Sequence, residues 1–217
     1  MSGLVKICGL SEEVTLQAAL DAGADMIGLV FFEKSPRHVS LETAARLAGL
    51  ARGKAEVVAL TVDAPDALLD RIVAEVGPDW LQLHGRETPE RAAAIAARYG
   101  RKVMKALGIS RTADIAAAAP YVPHVDRLLF DAKPPKGGEV PGGNGVSFDW
   151  RLLKDLDLGL PLMLSGGLDA DNVAQAIRIG GIFDVDVSSG VERERGVKDT
   201  DLIRAFVAAA RGATRAA

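Results

Sequence analysis

The chain holds one cysteine, Cys8, immediately followed by Gly9. Free cysteine titrates near about 8.5 and nearby positive charge lowers that, so a thiolate here is a competent base. The plain alternative is a small buried hydrophobe. Asp131 closes the apolar run Leu128-Leu129-Phe130. Burial among such neighbours raises a carboxyl's pKa and lets it hold a proton for donation. Asp131 could instead cap a helix or pair with Lys133. An acid and a base of different chemical type facing each other suit an isomerase that moves protons.

Other residues suit binding. Ser165-Gly166-Gly167 strips away side chains so that backbone N–H groups can approach an anion, and Ser188-Ser189-Gly190 adds hydroxyl donors at the possible start of a short helix. Such a helix end supplies unpaired N–H groups and a partial positive charge, so the two turns together are expected to bind phosphate. Tight turns alone would also explain the glycines. Arg37, behind Ser35-Pro36, carries the planar guanidinium best suited to a bidentate grip on a carboxylate. A solvated loop arginine is its ordinary alternative. His84 can polarise or stack on a substrate, or serve only the fold. Asp186 sits in a strand-like run with Asp184 expected to point the other way, so that one of the two faces the barrel centre.

The elements that must position these groups alternate along the chain. Apolar runs at 4–8, 25–30, 56–62, 80–84, 102–107, 126–131, 160–165 and 183–188 each precede a helical stretch. Those stretches cover 12–22, 41–51, 66–76, 89–99, a segment ending near 119, then 148–156, 170–179 and 201–211. Ser11, Asp66, Thr88, Ser110 and Asp169 lie near helix starts, and Gly23, Gly100 and Gly180 near helix ends. The runs are continuous in Val, Ile and Leu, as in strands buried on both faces of a parallel sheet. Eight such units in 217 residues leave no room for a second lobe, so an α/β fold closed as a single-domain (β/α)8 TIM barrel over 1–217 is expected. The tail after Arg211 is expected to fray. In such barrels the loops after the strands build the active site, and the loops after the seventh and eighth often bind phosphate. Cys8, Arg37, His84, Asp131, Asp186 and the two glycine–serine turns fall at those strand ends or in the loops that follow them.

Composition narrows the partners. The formal net charge of −3 and an aromatic content of 5% give neither a basic field nor stacking platforms for nucleic acid. No apolar run approaches the roughly 20 residues of a membrane span, and no signal peptide is apparent at the start. A lone cysteine forms no internal disulfide, which favours a reducing compartment, and a cytoplasmic location is expected. The three histidines, His38, His84 and His124, are dispersed, so no metal site is expected. The glycine-rich stretch from Gly137 to Gly145 fits neither a dinucleotide fingerprint nor a P-loop, and reads as a long loop lying over the site as a lid.

In order, Val5-Lys6-Ile7-Cys8-Gly9, Ser35-Pro36-Arg37-His38-Val39, Leu81-Gln82-Leu83-His84-Gly85, Gly142-Gly143-Asn144-Gly145 with Phe148-Asp149-Trp150, Leu164-Ser165-Gly166-Gly167-Leu168, and Asp186-Val187-Ser188-Ser189-Gly190-Val191-Glu192 resemble the signatures of the phosphoribosylanthranilate isomerases. The resemblance runs end to end. It implies an Amadori rearrangement in tryptophan biosynthesis, without cofactor or metal, on one phosphorylated small molecule in a monomer or homodimer. By the same resemblance Asp131 is the general acid and Cys8 the general base. Arg37 and His84 belong to substrate binding, Arg37 on the anthranilate carboxylate. Asp186 holds the bridging nitrogen, and Gly143, Gly145, Gly166, Gly167, Ser188, Ser189 and Gly190 hold the phosphate. Arg195 departs from the family's more frequent proline, and the segment from Lys133 to Pro141 is long. Other phosphate-binding barrels remain as alternatives: a sugar-phosphate epimerase, an indole-3-glycerol-phosphate synthase, or a barrel that only binds its ligand. The synthase would need a lysine–glutamate set at the strand ends, and no glutamates matching Lys6, Lys105 or Lys133 stand out in the sequence.

Overall fold

The computed structural model describes residues 3–133, 142–143, 145 and 147–213. Eight parallel strands close into one barrel: β1 Val5–Cys8, β2 Met26–Phe31, β3 Glu56–Thr61, β4 Trp80–Leu83, β5 Lys102–Ile109, β6 Arg127–Ala132, β7 Leu162–Leu164 and β8 Val185–Val187. The barrel closes where β1 pairs with β8, Lys6 lying opposite Asp186. Outside run α1 Glu13–Asp21, α2 Leu41–Ala51, α3 Asp66–Arg71, α4 Pro89–Tyr99, α5 Thr112–Ala116, α6 Val173–Gly180 and α7 Thr200–Gly212.

Alternate residues of each strand face in and out, and the two sets pack as separate cores. Val5, Ile7, Ile27, Leu29, Leu81, Leu83, Leu128, Phe130 and Val185 face the helices in one large cluster. Met26, Val58, Trp80, Met104, Leu129 and Met163 fill the interior as a second cluster, so the barrel is packed rather than hollow. A third layer above them begins with Cys8, Val30 and Leu60. It lies at the C-terminal ends of the strands, and there the apolar filling stops.

Local chemistry explains where the helices depart from expectation. The segment ending near 119 breaks into α5 and a 3-10 turn over Ala119–His124, because Pro120 and Pro123 lack the N–H a regular helix needs. The helix expected over 148–156 is a single 3-10 turn, Trp150–Leu153, and soon after it Asp155 takes a left-handed φ of 58°. The stretch 66–76 is helical, but its second half, Ile72–Val76, widens to a π-turn ended by Gly77. Thr88 caps α4 as expected, accepting from the Arg91 N–H. Ser11 and Asp66 lie at helix starts as expected, beside the N-caps Glu12 and Pro65, and Gly180 ends α6 just before its cap Gly181. α7 continues through Gly212, where Arg211 ties it to the carbonyls of Gly3 and Gly23 and to Asp25. The tail from 214 lies outside the described residues.

One element was not foreseen. After β8 a 3-10 turn, Ser189–Val191, leads into an antiparallel hairpin of β9 Glu192–Glu194 and β10 Val197–Lys198. It folds back over the barrel mouth, and Gly196 at its turn lies against Pro36. Among the described residues no helix is long and apolar enough to cross a membrane.

Candidate active site

A concave site opens at the C-terminal end of the barrel, enclosing about 740 Å³ with its mouth and the solvent in it included. Cys8, Arg37, His84, Asp131, Gly143, Gly166, Gly167, Asp186, Ser188 and Ser189 all line it. Val30, Phe32, Leu60, Val62 and Leu168 supply an apolar wall suited to a flat ring. Gly145 and Gly190 do not line the cavity. Gly190 instead packs where a Cβ would fall within the van der Waals radius of the Leu168 carbonyl oxygen, which locks the turn after β8 onto the turn after β7. Among the described residues, Ser189 lies near the position a Cβ at Gly145 would take. Most of the loop expected as a lid, 134–141 with 144 and 146, lies outside the described residues.

Asp131 reaches the cavity from the end of β6. Its Oδ1 accepts from the Ala132 N–H at 2.8 Å, and its Oδ2 lies 3.3 Å from His84 Nε2. The other ring nitrogen, Nδ1, lies 3.2 Å from the Gln82 amide, so a three-residue chain fixes the carboxyl. Two glycines make room for it. A Cβ at Gly142 would sit 2.6 Å from Oδ2, and one at Gly166 would sit 3.0 Å from Oδ1. Gly166 and Gly167 take φ of 90° and 62°, a region costly for any residue with a Cβ. The pairing with Lys133 considered above does not form, since Lys133 bridges to Asp114 at 2.5 Å.

Cys8 stands across the mouth at the end of β1, 3% exposed. Burial pushes its thiol pKa up, and the Lys6 charge acts against that push. Lys6 is fully buried and donates to Asp186 Oδ1 at 2.7 Å, while the Ser165 hydroxyl donates to Asp186 Oδ2 at 3.1 Å. Burial alone would lower the Lys6 pKa, but the neighbouring Asp186 and Cys8 hold it above the ordinary lysine value. Asp184 was expected to face away from Asp186. Residues two apart share a strand face, and Asp184 turns to the lower end of the barrel, accepting from the Leu4 N–H and pairing with Arg127.

Arg37 is buried rather than solvated. Its Nε and Nη2 donate to Glu192 at 2.6 and 2.9 Å, and Nη2 also reaches the Gly143 carbonyl at 3.2 Å. The Nη1 edge faces Gly143, where an added Cβ would come within 2.5 Å. Glu192 also accepts from Lys198 Nζ at 2.7 Å and from the Gly196 N–H at 3.0 Å. Burial would raise the Glu192 pKa, but Arg37 and Lys198 hold it down to about 2. Lys198 shares that one carboxylate with Arg37, so burial prevails and its own pKa falls to about 8. Its Nζ further donates to the carbonyl and hydroxyl oxygens of Ser188, tying the hairpin to the turn after β8.

Sequence reasoning gave no role to Lys6, Gln82, Glu192 or Lys198. A lysine two residues before Cys8 on one strand must share its face, which was a usable signal. The pair of Glu192 and Lys198 depends on a hairpin that no hydrophobic period announces. Buried lysine–glutamate pairs do occur, contrary to the expectation from sequence: Lys198 with Glu192, and Lys105 with Glu87 at 2.8 Å. Lys105 does not line the cavity. It braces the loop after β4 through the carbonyls of Leu83 and Gly85.

Comparison with known proteins agrees with this geometry. The family model described as N-(5'-phosphoribosyl)anthranilate (PRA) isomerase matches residues 5–209. A protein named N-(5'-phosphoribosyl)anthranilate isomerase from Afipia carboxidovorans is 60% identical over 214 residues, covering 99% of this chain and 92% of its own length. The crystal structure of phosphoribosyl anthranilate isomerase from Thermotoga maritima superposes with a TM-score of 0.85 at 36% identity, covering 97% of this chain and 99% of that one. A phosphoribosyl anthranilate isomerase in complex with reduced 1-(o-carboxyphenylamino)-1-deoxyribulose 5-phosphate superposes with a TM-score of 0.83 at 35% identity and the same coverage.

Proposed function

Because the chain belongs to the N-(5'-phosphoribosyl)anthranilate isomerase family, we propose that its cavity carries out the Amadori rearrangement with Cys8 as base and Asp131 as acid. The protein is an isomerase of tryptophan biosynthesis, converting N-(5'-phosphoribosyl)anthranilate to 1-(2-carboxyphenylamino)-1-deoxyribulose 5-phosphate. The assignment of residues rests on one observation: a thiol at the end of β1 and a carboxyl on β6 line one cavity that also carries the glycine turns and a buried arginine.

Asp131 gives its proton to the furanose ring oxygen as the bond from that oxygen to carbon 1 breaks. The anthranilate nitrogen lone pair forms the C=N bond of an iminium. That cation makes the carbon-2 proton acidic, and the Cys8 thiolate removes it. The C–H electron pair becomes a carbon–carbon double bond, and the iminium electrons return to nitrogen, giving the enolamine. Carbon 1 then gains a proton and the carbon-2 hydroxyl loses one, leaving the ketone with thiolate and carboxylic acid restored. Each transfer by a positioned group is worth about a hundredfold or more in rate.

The binding roles follow the cavity's two ends. Gly166, Gly167, Ser188 and Ser189 take the phosphate, with Gly145 beside Ser189, whereas Gly143, also expected there, lies against Arg37. Gly190 acts by fixing the turn. Arg37 takes the carboxylate with the guanidinium edge that Glu192 leaves open, and Asp186 accepts from the bridging nitrogen. His84 orients Asp131. Turnover is followed as loss of phosphoribosylanthranilate fluorescence. Asp131→Asn and Cys8→Ser are each expected to keep the fold and phosphate affinity and to lose at least about a hundredfold in kcat. Wild-type turnover in either variant removes that residue from the mechanism.

A further inference from the structure

A buried thiol is a poor base unless something stabilises its anion, and Lys6, two residues before Cys8 on β1, is placed to do so. We propose that Lys6 is the positioning residue that lets Cys8 act as a base, by holding an ammonium against the thiolate beneath the substrate. The inference rests on the reading of Cys8 as the base.

Lys6 and Cys8 occupy alternate positions of β1 and so point to the same side of the strand, into the barrel. The adjoining residue of β2 is Gly28, paired with Cys8 in the sheet. A Cβ there would lie 2.9 Å from Cys8 Sγ and 3.2 Å from Lys6 Nζ, so the missing side chain is what leaves sulfur and nitrogen facing one space. On its other side Lys6 is held by Asp186, itself steadied by Ser165. The ammonium is thus divided between a carboxylate and a thiol.

The remaining charges around Cys8 do not replace Lys6. Lys198 acts on the thiol from the hairpin, but its ammonium is committed to Glu192 and Ser188. Arg37 lies across Gly9 and is committed to the same glutamate. Val30 and Leu60, the other side chains packed with Cys8, are apolar. Asp186 opposes ionisation of the thiol by its own charge and by drawing on the ammonium. When the substrate nitrogen donates to Asp186, that draw weakens and more of the Lys6 charge falls on sulfur, so binding itself favours the basic form.

The test uses the fact that the chain has one cysteine, so thiolate ultraviolet absorbance, taken against Cys8→Ser, reports on Cys8 alone. Lys6→Met keeps length and removes charge, and is expected to raise the midpoint of thiol ionisation by about one pH unit or more. Its kcat should fall about tenfold at neutral pH and recover as pH rises. Asp186→Asn should move the midpoint the opposite way. An unmoved midpoint in Lys6→Met, or shifts of the same sign in both variants, overturns the inference. If Lys6→Met does not fold, Asp186→Asn decides alone, and an unmoved or raised midpoint there is fatal. Full turnover by Cys8→Ser would instead refute the base assignment, separating the two failures.

Discussion

Replacing Glu192 by glutamine should expose how the cavity holds Arg37. The side chain is 3% exposed and accepts four hydrogen bonds, two from Arg37 and one each from Lys198 and Gly196. Its carboxyl is held at about 2 instead of 4.5. Integrated from the unfolded to the folded value, that difference is worth about 3 kcal/mol, or roughly 2 after screening through the open mouth is allowed for. The sign follows from a lowered acid. The stabilisation is complete above 4.5 and is lost as pH falls toward 2. Glu192→Gln should therefore cost roughly 2–3 kcal/mol at pH 7, narrowing to about half that near pH 3, by urea denaturation across the pH series. The fold should survive, because Lys198, already lowered to about 8, can shed its proton for only about 1.4 kcal/mol at pH 7. Arg37 would lose its two-point anchor, so KM should rise about tenfold with kcat changed less. A stability gap that stays constant from pH 7 to pH 3, or an unchanged KM, would refute the view that this carboxylate organises the guanidinium.

Two further substitutions separate binding from support. Gly190→Ala forces a Cβ onto the Leu168 carbonyl and should part the turns after β7 and β8, raising KM about tenfold and lowering the thermal midpoint; retention of wild-type KM would show that the turns need not touch. Lys105→Met leaves the buried Glu87 without its cation, held by the N–H groups of Asp63 and Gly85, and should cost about 3 kcal/mol in urea denaturation while leaving Cys8 ionisation unmoved. Altered thiol ionisation there would mean that the brace reaches the chemistry.

The strand runs, their order and the placing of polar groups at strand ends were all legible in the sequence, because burial on both faces imposes continuous apolar runs and closure leaves function only at the rim. For the same reason Cys8, Asp131, Asp186, Ser188 and the Gly166-Gly167 turn could be assigned to one rim before any coordinates. Helix continuity was less legible: the prolines at 120 and 123 and the left-handed Asp155 act over single residues, below the resolution of a periodic pattern. Charge partnership was not legible at all. Lys6 meets Asp186 only because the first and last strands close the barrel, across 180 positions of sequence. Arg37 meets Glu192 only because a short hairpin returns over the mouth, 155 positions away. A chain's local pattern dictates which residues hide from water; which buried cation neutralises which buried anion is decided by topology, since Coulomb energy depends on distance in space and not along the chain.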